Sequence, residues 1–389
     1  MSAPRLAPAL PRRTLLRVAA AAAVASATAL AARGSETPAD AATPRLRLIT
    51  HGSLPGGTEF AGTPVGGLSG LTYDAASGLW YALSDDRSRH APARCYVLRL
   101  PPLRAGQPLL PQWVDVITLR GPDGQPFARH AVDPEALALR PGTAGAPPTL
   151  LWTSEGDIRA RVPPALFESA LDGRLLRTFT LPALLREVGR PGRGPRANKT
   201  LEGLAISPDG QHAWAAMEGA LAQDRDALTP GAPPGPCRIT RFDLASGRAD
   251  RQVAYAPDAQ PFGPVMPHGT AESGVTAVLL ASAHRLWVLE RAWQLSTGVS
   301  VRLYEADLDS PDATDTLAQS RLRPGRYRPV AKRLLLDLGR IGLPHLDNLE
   351  GMAWGPRLPG GQRTLVLCSD DNFNPLQVTQ FIALAVNAP

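Results

Sequence analysis

Carboxylate side chains recur at matching places along this 389-residue chain. Glu135, Glu202 and Glu350 are each followed by Gly or Ala and then by a hydrophobic residue, a pair that we call the Gly-hydrophobic step and that begins an apolar run. A second set of acids follows the next apolar run of each unit. This second set consists of Asp85 and Asp86, Glu155 and Asp157, Glu218, Glu290, and Asp370 and Asp371. Because acids bracket the apolar runs so regularly, the pattern predicts that they meet at one place in the folded protein.

The apolar runs between these acids belong to a repeat with copies roughly 70 residues apart. The copies begin at Ser69, Glu135, Glu202, Glu272 and Glu350. Short runs of β-forming residues follow each start, separated by Gly, Pro and Asp, which is typical of antiparallel strands. The sequence therefore predicts an all-β chain. Its 40 Pro and 36 Gly agree with many short elements joined by turns.

Four-stranded antiparallel units that repeat along a chain predict a β-propeller, in which the ring of blades protects the sheet edges. Five blades are readable, and a sixth, degenerate blade could lie in residues 183–199 or 309–330. The last unit lacks its fourth strand, and residues 45–50 are expected to supply it and close the ring. The predicted domain is therefore one propeller over residues 45–389.

The paired acids are expected to surround one mouth of the propeller axis. The first strand of a blade lines the axis and the second returns beside it, so the start of one and the end of the other share a face. Crowded carboxylates repel one another and lose hydration, and a cation relieves both costs. Hard oxygen ligands in this density favour Ca²⁺. The predicted metal ligands are Asp85, Asp86, Glu135, Glu155, Asp157, Glu202, Glu218, Glu290, Glu350, Asp370 and Asp371.

Two other roles for the acids stay open. Arg87, Lys199, Arg291 and His345 adjoin the same positions and could neutralise some of the acids instead. Acids at strand ends also cap turns, although turn chemistry favours Asp and Asn rather than repeated Glu before a Gly-hydrophobic step.

Several common catalytic and binding motifs are absent from the sequence. The segment from Gly67 to Gly70 lacks the second glycine of a G-x-S-x-G elbow, and no H-E-x-x-H, Walker A or dinucleotide motif occurs. The Arg residues form no basic run and no aromatic stacking platform accompanies them, which argues against nucleic acid as a partner. An enzyme built from this sequence is expected to be metal-assisted.

The first residues are typical of an export signal. Arg12 and Arg13 form a twin-arginine pair ahead of the Ala-rich apolar stretch 18–32, which is too weakly apolar for a stable membrane span. We therefore predict a twin-arginine signal peptide over residues 1–32, with cleavage as late as residue 41, and a periplasmic or secreted protein.

The charge and the cysteines add little to the functional argument. Residues 1–32 hold four Arg and no acid, so they account for most of the formal net charge of +6. Cys95, Cys237 and Cys368 leave at least one thiol unpaired, and either one disulfide or three buried thiols fit this count. Their wide separation gives no metal-ligand spacing.

Motifs across residues 65–386 resemble the bacterial "esterase-like activity of phytase" family, also called phytase-like domain proteins. They include GLSGLTYD…WYALSDDR, DPEALAL…LWTSEGD, NKTLEGLAISPDG, LWVLERAW…VRLYEADL and DNLEGMAWGP…LVLCSDDNFNPLQVTQFIAL. The resemblance implies a β-propeller with repeated Glu and Asp, and hydrolysis of phosphate esters. Thr200 stands where the family commonly has Gly, and segment 369–372 has Asp where Asn is common. Neither departure removes a predicted acid.

Three functional hypotheses follow from the acids and the resemblance. The first is Ca²⁺-dependent hydrolysis of a small phosphate ester, in which Glu202 or Glu350 helps to deprotonate the attacking water. Arg87, Lys199 and Arg291 would grip the phosphate. The second is a Ca²⁺-dependent lactonase or carboxylesterase. The third is a non-catalytic exported propeller that binds a ligand or protein and whose acids are structural. A monomer is expected.

Overall fold

The computed structural model describes residues 43–143, 145–225, 234–259, 261–262, 271–295 and 297–387. The predicted signal peptide and its cleavage segment lie outside the described residues. The chain from Thr43 to Pro389 forms one compact unit.

Nearly all regular structure in the described ranges is β-strand, because turn residues interrupt the apolar runs too often for helices. The exceptions are short 3₁₀ turns at Ala183–Arg186, Ala222–Asp224 and Leu338–Arg340. None of the helical segments described is long and apolar enough to cross a membrane. The strands are β1 Arg45–Ser53, β2 Glu59–Phe60, β3 Thr63–Pro64, β4 Leu68–Asp74, β5 Leu79–Ser84, β6 Arg94–Arg99, β7 Gln112–Thr118, β8 Pro134–Arg140, β9 Thr149–Ser154, β10 Ala165–Ala170, β11 Leu175–Thr178, β12 Leu201–Ile206, β13 His212–Met217, β14 Cys237–Asp243, β15 Arg248–Tyr255, β16 Ala271–Leu280, β17 Arg285–Gln294, β18 Gly298–Asp307, β19 Ala331–Asp337, β20 Leu349–Gly355, β21 Arg363–Ser369 and β22 Gln380–Asn387.

Five four-stranded antiparallel sheets form the blades of a ring. Blade 1 is β4–β7, blade 2 is β8–β11, blade 3 is β12–β15, blade 4 is β16–β19, and blade 5 is β20–β22 with β1. The first strands β4, β8, β12, β16 and β20 contact one another in that order, and β20 contacts β4. The described chain is therefore a closed five-bladed β-propeller, which confirms the fold predicted from the repeat.

The N-terminal strand closes the ring, as the sequence predicts. Strand β1 pairs antiparallel with β22, from Arg45 opposite Asn387 to Ser53 opposite Gln380. The predicted segment 45–50 is thus the first part of a longer strand. Because both ends of the propeller meet within blade 5, opening the ring would expose the unpaired edges of two strands.

No sixth blade lies in the described residues, so the count of five blades is confirmed there and the possible sixth is not found. Residues 183–199 contain only a 3₁₀ turn, and residues 309–330 contain no strand. The second segment instead runs beside β15, where the Thr316 N–H donates to the Gln252 carbonyl at 2.7 Å. It covers the edge strand of blade 3 rather than starting another sheet.

Apolar side chains fill the space between neighbouring blades. Side chains alternate across a strand, so each sheet can present apolar groups to the blades on both sides. The second strands of blades 1 to 4 each contribute a Trp that is at most 3% exposed, and these are Trp80, Trp152, Trp214 and Trp287. Burial on both faces of each sheet holds the ring together.

The three cysteines are part of this packing. Cys95, Cys237 and Cys368 are free and buried, which answers the question that their number left open. Burial raises the pKa of each thiol above its ordinary value. They therefore behave as small apolar side chains.

The glycine after the repeated Glu or Ser is required by the close approach of first strands. A Cβ on Gly70 would lie 2.8 Å from the backbone nitrogen of Leu137 in the next blade. A Cβ on Gly351 would lie 3.1 Å from the Leu71 Cβ in blade 1 and 2.3 Å from the Cys368 Sγ in its own blade. The Gly-hydrophobic step thus marks a place where neighbouring first strands leave no room for a side chain.

We expect Gly70→Ala to destabilise the ring, because the added methyl group would meet backbone atoms that cannot move independently. The expected loss in the free energy of unfolding is about 1–3 kcal/mol, measured by denaturant titration. Gly56→Ala is the matched control, since a Cβ at Gly56 would have no atom within 4 Å. Equal stability of the two variants would contradict tight packing of the first strands.

Candidate functional site

A β-bulge interrupts the pairing of the first and second strands in every blade, near the start of the first strand in blades 1, 2, 3 and 5 and at its middle in blade 4. The bulge residues are Ser69, Glu135, Glu202, Thr276 and Glu350. An extra residue at a bulge bends the strand and re-aims a side chain. All five residues are buried. In blades 2, 3 and 5 the bulge residue is the glutamate that the sequence motif singles out.

The three bulge glutamates converge at the propeller axis. Glu135, Glu202 and Glu350 each place a carboxylate oxygen within 4.8 Å of the other two. The Ser69 and Thr276 hydroxyls instead contact backbone carbonyls of the following blade, at 3.5 Å and 3.1 Å. The centre is therefore acidic on three sides and neutral on two.

A second ring position lies just after the second strand, or near its end, in each blade. Its occupants in blades 1 to 5 are Asp85, Glu155, Glu218, Arg291 and Asp370. In blades 1, 2, 3 and 5 the backbone N–H of this residue donates to a carbonyl two residues before the bulge, at 2.6–3.0 Å. This shared hydrogen bond places four carboxylates at equivalent positions. In blade 4 the strand register pairs Arg291 with Gly274, two residues before the bulge, and so gives its guanidinium the same position.

Blade 4 differs from the arrangement that the sequence spacing predicts. The spacing makes Glu272 and Glu290 the equivalents of the other repeated acids, whereas the strand register gives Thr276 and Arg291 these positions. The paired strands β16 and β17 are each ten residues long, which displaces the apparent motif. Glu272 lies beyond the ring, with a side chain that is 60% exposed and an Oε2 3.8 Å from the Lys199 Nζ.

We use the name axial cluster for eight carboxylates that gather at this end of the axis. They are Asp85, Asp133, Glu135, Glu155, Glu202, Glu218, Glu350 and Asp370. Among the described residues, three cations form ion pairs with the cluster, namely Arg87, Lys199 and Arg291. If every group were ionised, eight negative and three positive charges would leave an excess of five negative charges.

Two of the cations lie on one side of the cluster. The Arg87 Nη2 is 2.5 Å from the Asp133 Oδ2 and 3.2 Å from the Asn198 Oδ1. The Lys199 Nζ is 2.7 Å from the Glu218 Oε1. Both therefore act as counter-charges in this structure, which was one of the alternatives open from the sequence.

Arg291 connects blade 4 with blades 3 and 5. Its Nη2 is 3.3 Å from the Glu218 Oε1 and its Nη1 is 3.6 Å from the Glu350 Oε1. It also donates a hydrogen bond to the Asn348 Oδ1. The Asn348 Nδ2 in turn donates to Glu350 at 3.0 Å and to Asp370 at 3.1 Å. These donors compensate part of the negative charge on the blade 5 side.

Burial and crowding raise the pKa values of the axial cluster. Burial, only partly offset by Arg87, raises the pKa of Asp133 to about 7. Burial and the charge of Glu218 raise the pKa of Glu155 to about 8. Burial, followed by neighbouring carboxylates, also raises the pKa values of Asp85, Glu135, Glu202 and Asp370. Without an added cation, part of the cluster therefore holds protons at neutral pH.

The donor groups of the axial cluster fit a hard divalent cation. Three sets of acids place oxygens within 4.8 Å of one another: Asp133, Glu135 and Glu155; Glu135, Glu202 and Glu350; Glu155, Glu202 and Glu218. In the described part of the chain, the buried Asp85 Oδ1 has no hydrogen-bond partner. Closely spaced oxygen ligands are the set that Ca²⁺ prefers, so these residues could bind a metal ion.

Two predicted ligands beside the axial cluster are occupied by structural contacts. Asp86 is 2.7 Å from the Arg94 Nη1 and accepts backbone hydrogen bonds from residues 89–91. Burial would raise the pKa of Asp86, but these donors lower it below its usual value. Asp371 accepts a hydrogen bond from the Gly67 N–H at 2.9 Å. A ligand role for either residue stays a prediction.

Glu290 and Asp157, also predicted as ligands, belong to none of the three sets. Glu290 accepts hydrogen bonds from the Tyr255 hydroxyl at 2.6 Å and from the Lys332 Nζ at 2.5 Å. Asp157 accepts the Ala160 N–H at 2.9 Å within a turn. Their roles as ligands likewise stay predictions.

Asp133 is the acid that the ligand prediction left out although the structure brings it into a set. It stands two residues before the bulge residue Glu135, where blade 5 has Asn348. The carbonyl at this position receives the N–H of the second-ring residue, here Glu155 at 2.8 Å. An acid two residues before a bulge glutamate is therefore the sequence signal that would identify it.

The fold and the site together define this protein as a five-bladed β-propeller with a cluster of carboxylates at one end of its axis. The profile of the phytase-like family, described as "esterase-like activity of phytase", matches residues 63–373, and the chain belongs to this family. The resemblance noted from the sequence is thus confirmed. Among curated proteins, none matches the chain significantly.

Solved structures with low sequence identity also match the chain. A periplasmic gluconolactonase from Pseudomonas aeruginosa is 16% identical over 90% of this chain and 98% of its own, with a TM-score of 0.35. An arabinanase from Bacillus subtilis is 12% identical over 82% and 93%, with a TM-score of 0.40. The catalytic domain of a GH62 α-L-arabinofuranosidase from Coprinopsis cinerea is 9% identical over 88% and 97%, with a TM-score of 0.43. Likeness at this level carries no argument about the chemistry of this chain.

We expect the metal-free protein to lose stability as the pH rises from about 4 to about 8. Asp133 and Glu155 have pKa values of about 7 and about 8 in the fold, against about 4 in an unfolded chain. Between these values only the folded state holds the proton, so raising the pH favours unfolding. For each group that is protonated only in the folded state, a rise of one pH unit lowers the free energy of unfolding by about 1.4 kcal/mol. Denaturant titrations in EDTA at pH 5 and pH 8 measure the loss.

Ca²⁺ is expected to restore this stability at pH 8 and to have little effect at pH 5, because protons compete for the same oxygens. Glu155→Gln should weaken the pH dependence. Asp312→Asn removes a surface carboxylate whose side chain is 75% exposed and should leave the dependence unchanged. Stability that responds to neither pH nor Ca²⁺ would contradict a cation-binding cluster.

Proposed function

We propose that this chain is an exported phosphoester hydrolase whose Ca²⁺-assisted active site is the axial cluster. The observation that carries the proposal is the excess of buried carboxylates over cations, arranged in three sets with oxygens within 4.8 Å. Such a charge imbalance is costly unless a cation offsets it. Membership of the phytase-like family supports the choice of an ester bond as the substrate.

Bound Ca²⁺ would supply the positive charge that lets phosphate oxygens approach an acidic centre. Glu135 and Glu155 are the best candidates to hold it, because each belongs to two of the three sets. Glu202 also belongs to two sets but is the candidate for proton transfer. Arg87 is the most accessible of the three cations, with a side chain 27% exposed, against 12% for Lys199 and 16% for Arg291. Arg87 would therefore be the first to contact an arriving phosphate, while the other two hold the carboxylates in place.

Glu202 is the better of the two predicted general bases. Glu350 accepts a hydrogen bond from Asn348 at 3.0 Å and lies 3.6 Å from the Arg291 guanidinium. Glu202 accepts no hydrogen bond from the described part of the chain, and its pKa is raised by burial and by Glu155. A carboxylate without donors keeps its basicity and can take a proton from water.

We expect Glu202→Gln to lower the rate of phosphate release by about 100-fold or more, because a general base contributes at least that much. The assay uses purified protein and a panel of phosphoesters, with either Ca²⁺ or EDTA. Asp312→Asn serves again as the surface control and should retain the wild-type rate. No Ca²⁺-dependent phosphate release by the wild-type protein would overturn the proposal.

The same panel separates the other two hypotheses when lactones and carboxylesters are included. Hydrolysis of these without phosphate release would indicate a lactonase or esterase. A binding propeller without catalysis is favoured by one observation, namely that Arg87, Lys199 and Arg291 already pair with acids. No turnover on any ester, with thermal stability unchanged by Ca²⁺ or EDTA, would support it.

Export is proposed from the twin-arginine pair and the apolar stretch after it. We expect Arg12→Lys combined with Arg13→Lys to retain an uncleaved precursor in the cytoplasm, because the export machinery recognises the arginine pair. Cell fractionation and the mass of the recovered chain measure this. Arg5→Lys is the matched control and should be exported normally. Export of the double variant at the wild-type level would contradict a twin-arginine route.

A further inference from the structure

The hairpin of blade 4 extends past the ring at the acidic end of the axis. Strands β16, β17 and β18 contain ten residues each, whereas the first two strands of blade 1 contain seven and six. In β17 the ring position is Arg291, and the strand continues for three further residues to Gln294. These residues therefore extend past the ring position and form a wall on the blade 4 side of the axial cluster.

Trp293 is on the side of this wall that faces the axial cluster. Side chains two residues apart in a strand point to the same side. Arg291 reaches Glu218 and Glu350 at 3.3 Å and 3.6 Å, so its side of β17 is the one turned toward the cluster. Trp293 follows two residues later and therefore stands above Arg291 on that side.

The opposite strand gives the same orientation independently. Glu272 is the cross-strand partner of Trp293, and directly opposed residues share a face of the sheet. The Glu272 Oε2 lies 3.8 Å from the Lys199 Nζ, which itself is 2.7 Å from Glu218 in the cluster. Trp293 and Glu272 thus stand side by side over the entrance to the axial cluster.

The indole of Trp293 lies outside the apolar clusters between blades in the described part of the chain. It is half-buried, yet it belongs to none of the five apolar clusters between blades and makes no ring contact with another aromatic side chain there. The other six Trp residues all pack in or against those clusters. An indole left at a site entrance beside a largely exposed carboxylate is suited to contact a ligand.

We propose that Trp293 and Glu272 form a subsite for the carbon skeleton of the substrate, and that this skeleton is a polyhydroxylated ring such as a sugar. The apolar C–H face of the ring would stack on the indole. Glu272 would accept hydrogen bonds from ring hydroxyls. The anionic group would then lie toward the axial cluster. The role of this subsite in ester hydrolysis rests on the proposed function, whereas its binding of a polyhydroxylated ring does not.

Calorimetric titration in Ca²⁺ with two phosphonates tests the subsite without turnover. One is the phosphonate analogue of glucose 6-phosphate, and the other is ethylphosphonate, which has the same anionic group and no ring. We expect Trp293→Ala to weaken binding of the sugar phosphonate about five- to tenfold. Binding of ethylphosphonate should be unchanged. Trp293→Phe should keep most of the affinity because it retains an aromatic face.

Leu295→Ala is the matched control, since Leu295 lies at the tip of the same hairpin and is 57% exposed. It should bind both ligands as the wild type does. The inference is overturned if the wild-type protein does not bind the sugar phosphonate, or if Trp293→Ala weakens both ligands equally or neither. A ring-selective loss in a protein that releases no phosphate would retain the subsite and reject the hydrolase. Phosphate release by the wild-type protein, with ligand binding unaffected by Trp293→Ala, would retain the hydrolase and reject the subsite.

Discussion

Electrostatic repulsion among the axial carboxylates is the constraint on which the rest of this structure depends. The acids come from four blades, and blade 4 contributes Arg291 where the others contribute a carboxylate. No single blade could hold them together, so the closed ring must supply the free energy that offsets their repulsion and lost hydration. Apolar packing between the sheets supplies it, and the pairing of β1 with β22 keeps the ring from opening. Fold and site are therefore coupled through one charge imbalance.

Local backbone features turn the repeated sequence into that arrangement. The bulge in each first strand re-aims one side chain, and a glycine after three of the bulges lets the next blade approach. A shared backbone hydrogen bond then places the second-ring residue beside it. Acids adjacent in sequence to a second-ring residue form ion pairs outside the axial cluster: Asp86 pairs with Arg94, and Glu290 pairs with Lys332. A shift of one residue along the chain thus decides whether a carboxylate makes a structural ion pair or belongs to the axial cluster.

Blade 4 breaks the symmetry of the ring in a way that gives the site a direction. Its second-ring position is a cation, and its hairpin extends past the ring with Trp293 and Glu272, while its bulge residue bears a hydroxyl as in blade 1. The other blades supply the acids. A ligand at this entrance would therefore meet an aromatic and cationic wall on one side and carboxylates on the other. Such an asymmetry can orient a substrate that has one anionic and one apolar part.

The sequence by itself determined the strands, the five repeats, the closing N-terminal strand and the convergence of Glu135, Glu202 and Glu350. These follow from local rules, because alternating apolar residues and turn residues define hairpins, and a repeat of hairpins defines a ring. Only the tertiary structure decided the register of blade 4, where Thr276 and Arg291 replace the expected glutamates. It also decided which acids find structural partners. Register and pairing depend on contacts between blades that lie far apart in the chain. When a hairpin extends beyond the ring, the same sequence motif lies at a different structural position, and the sequence alone does not show this.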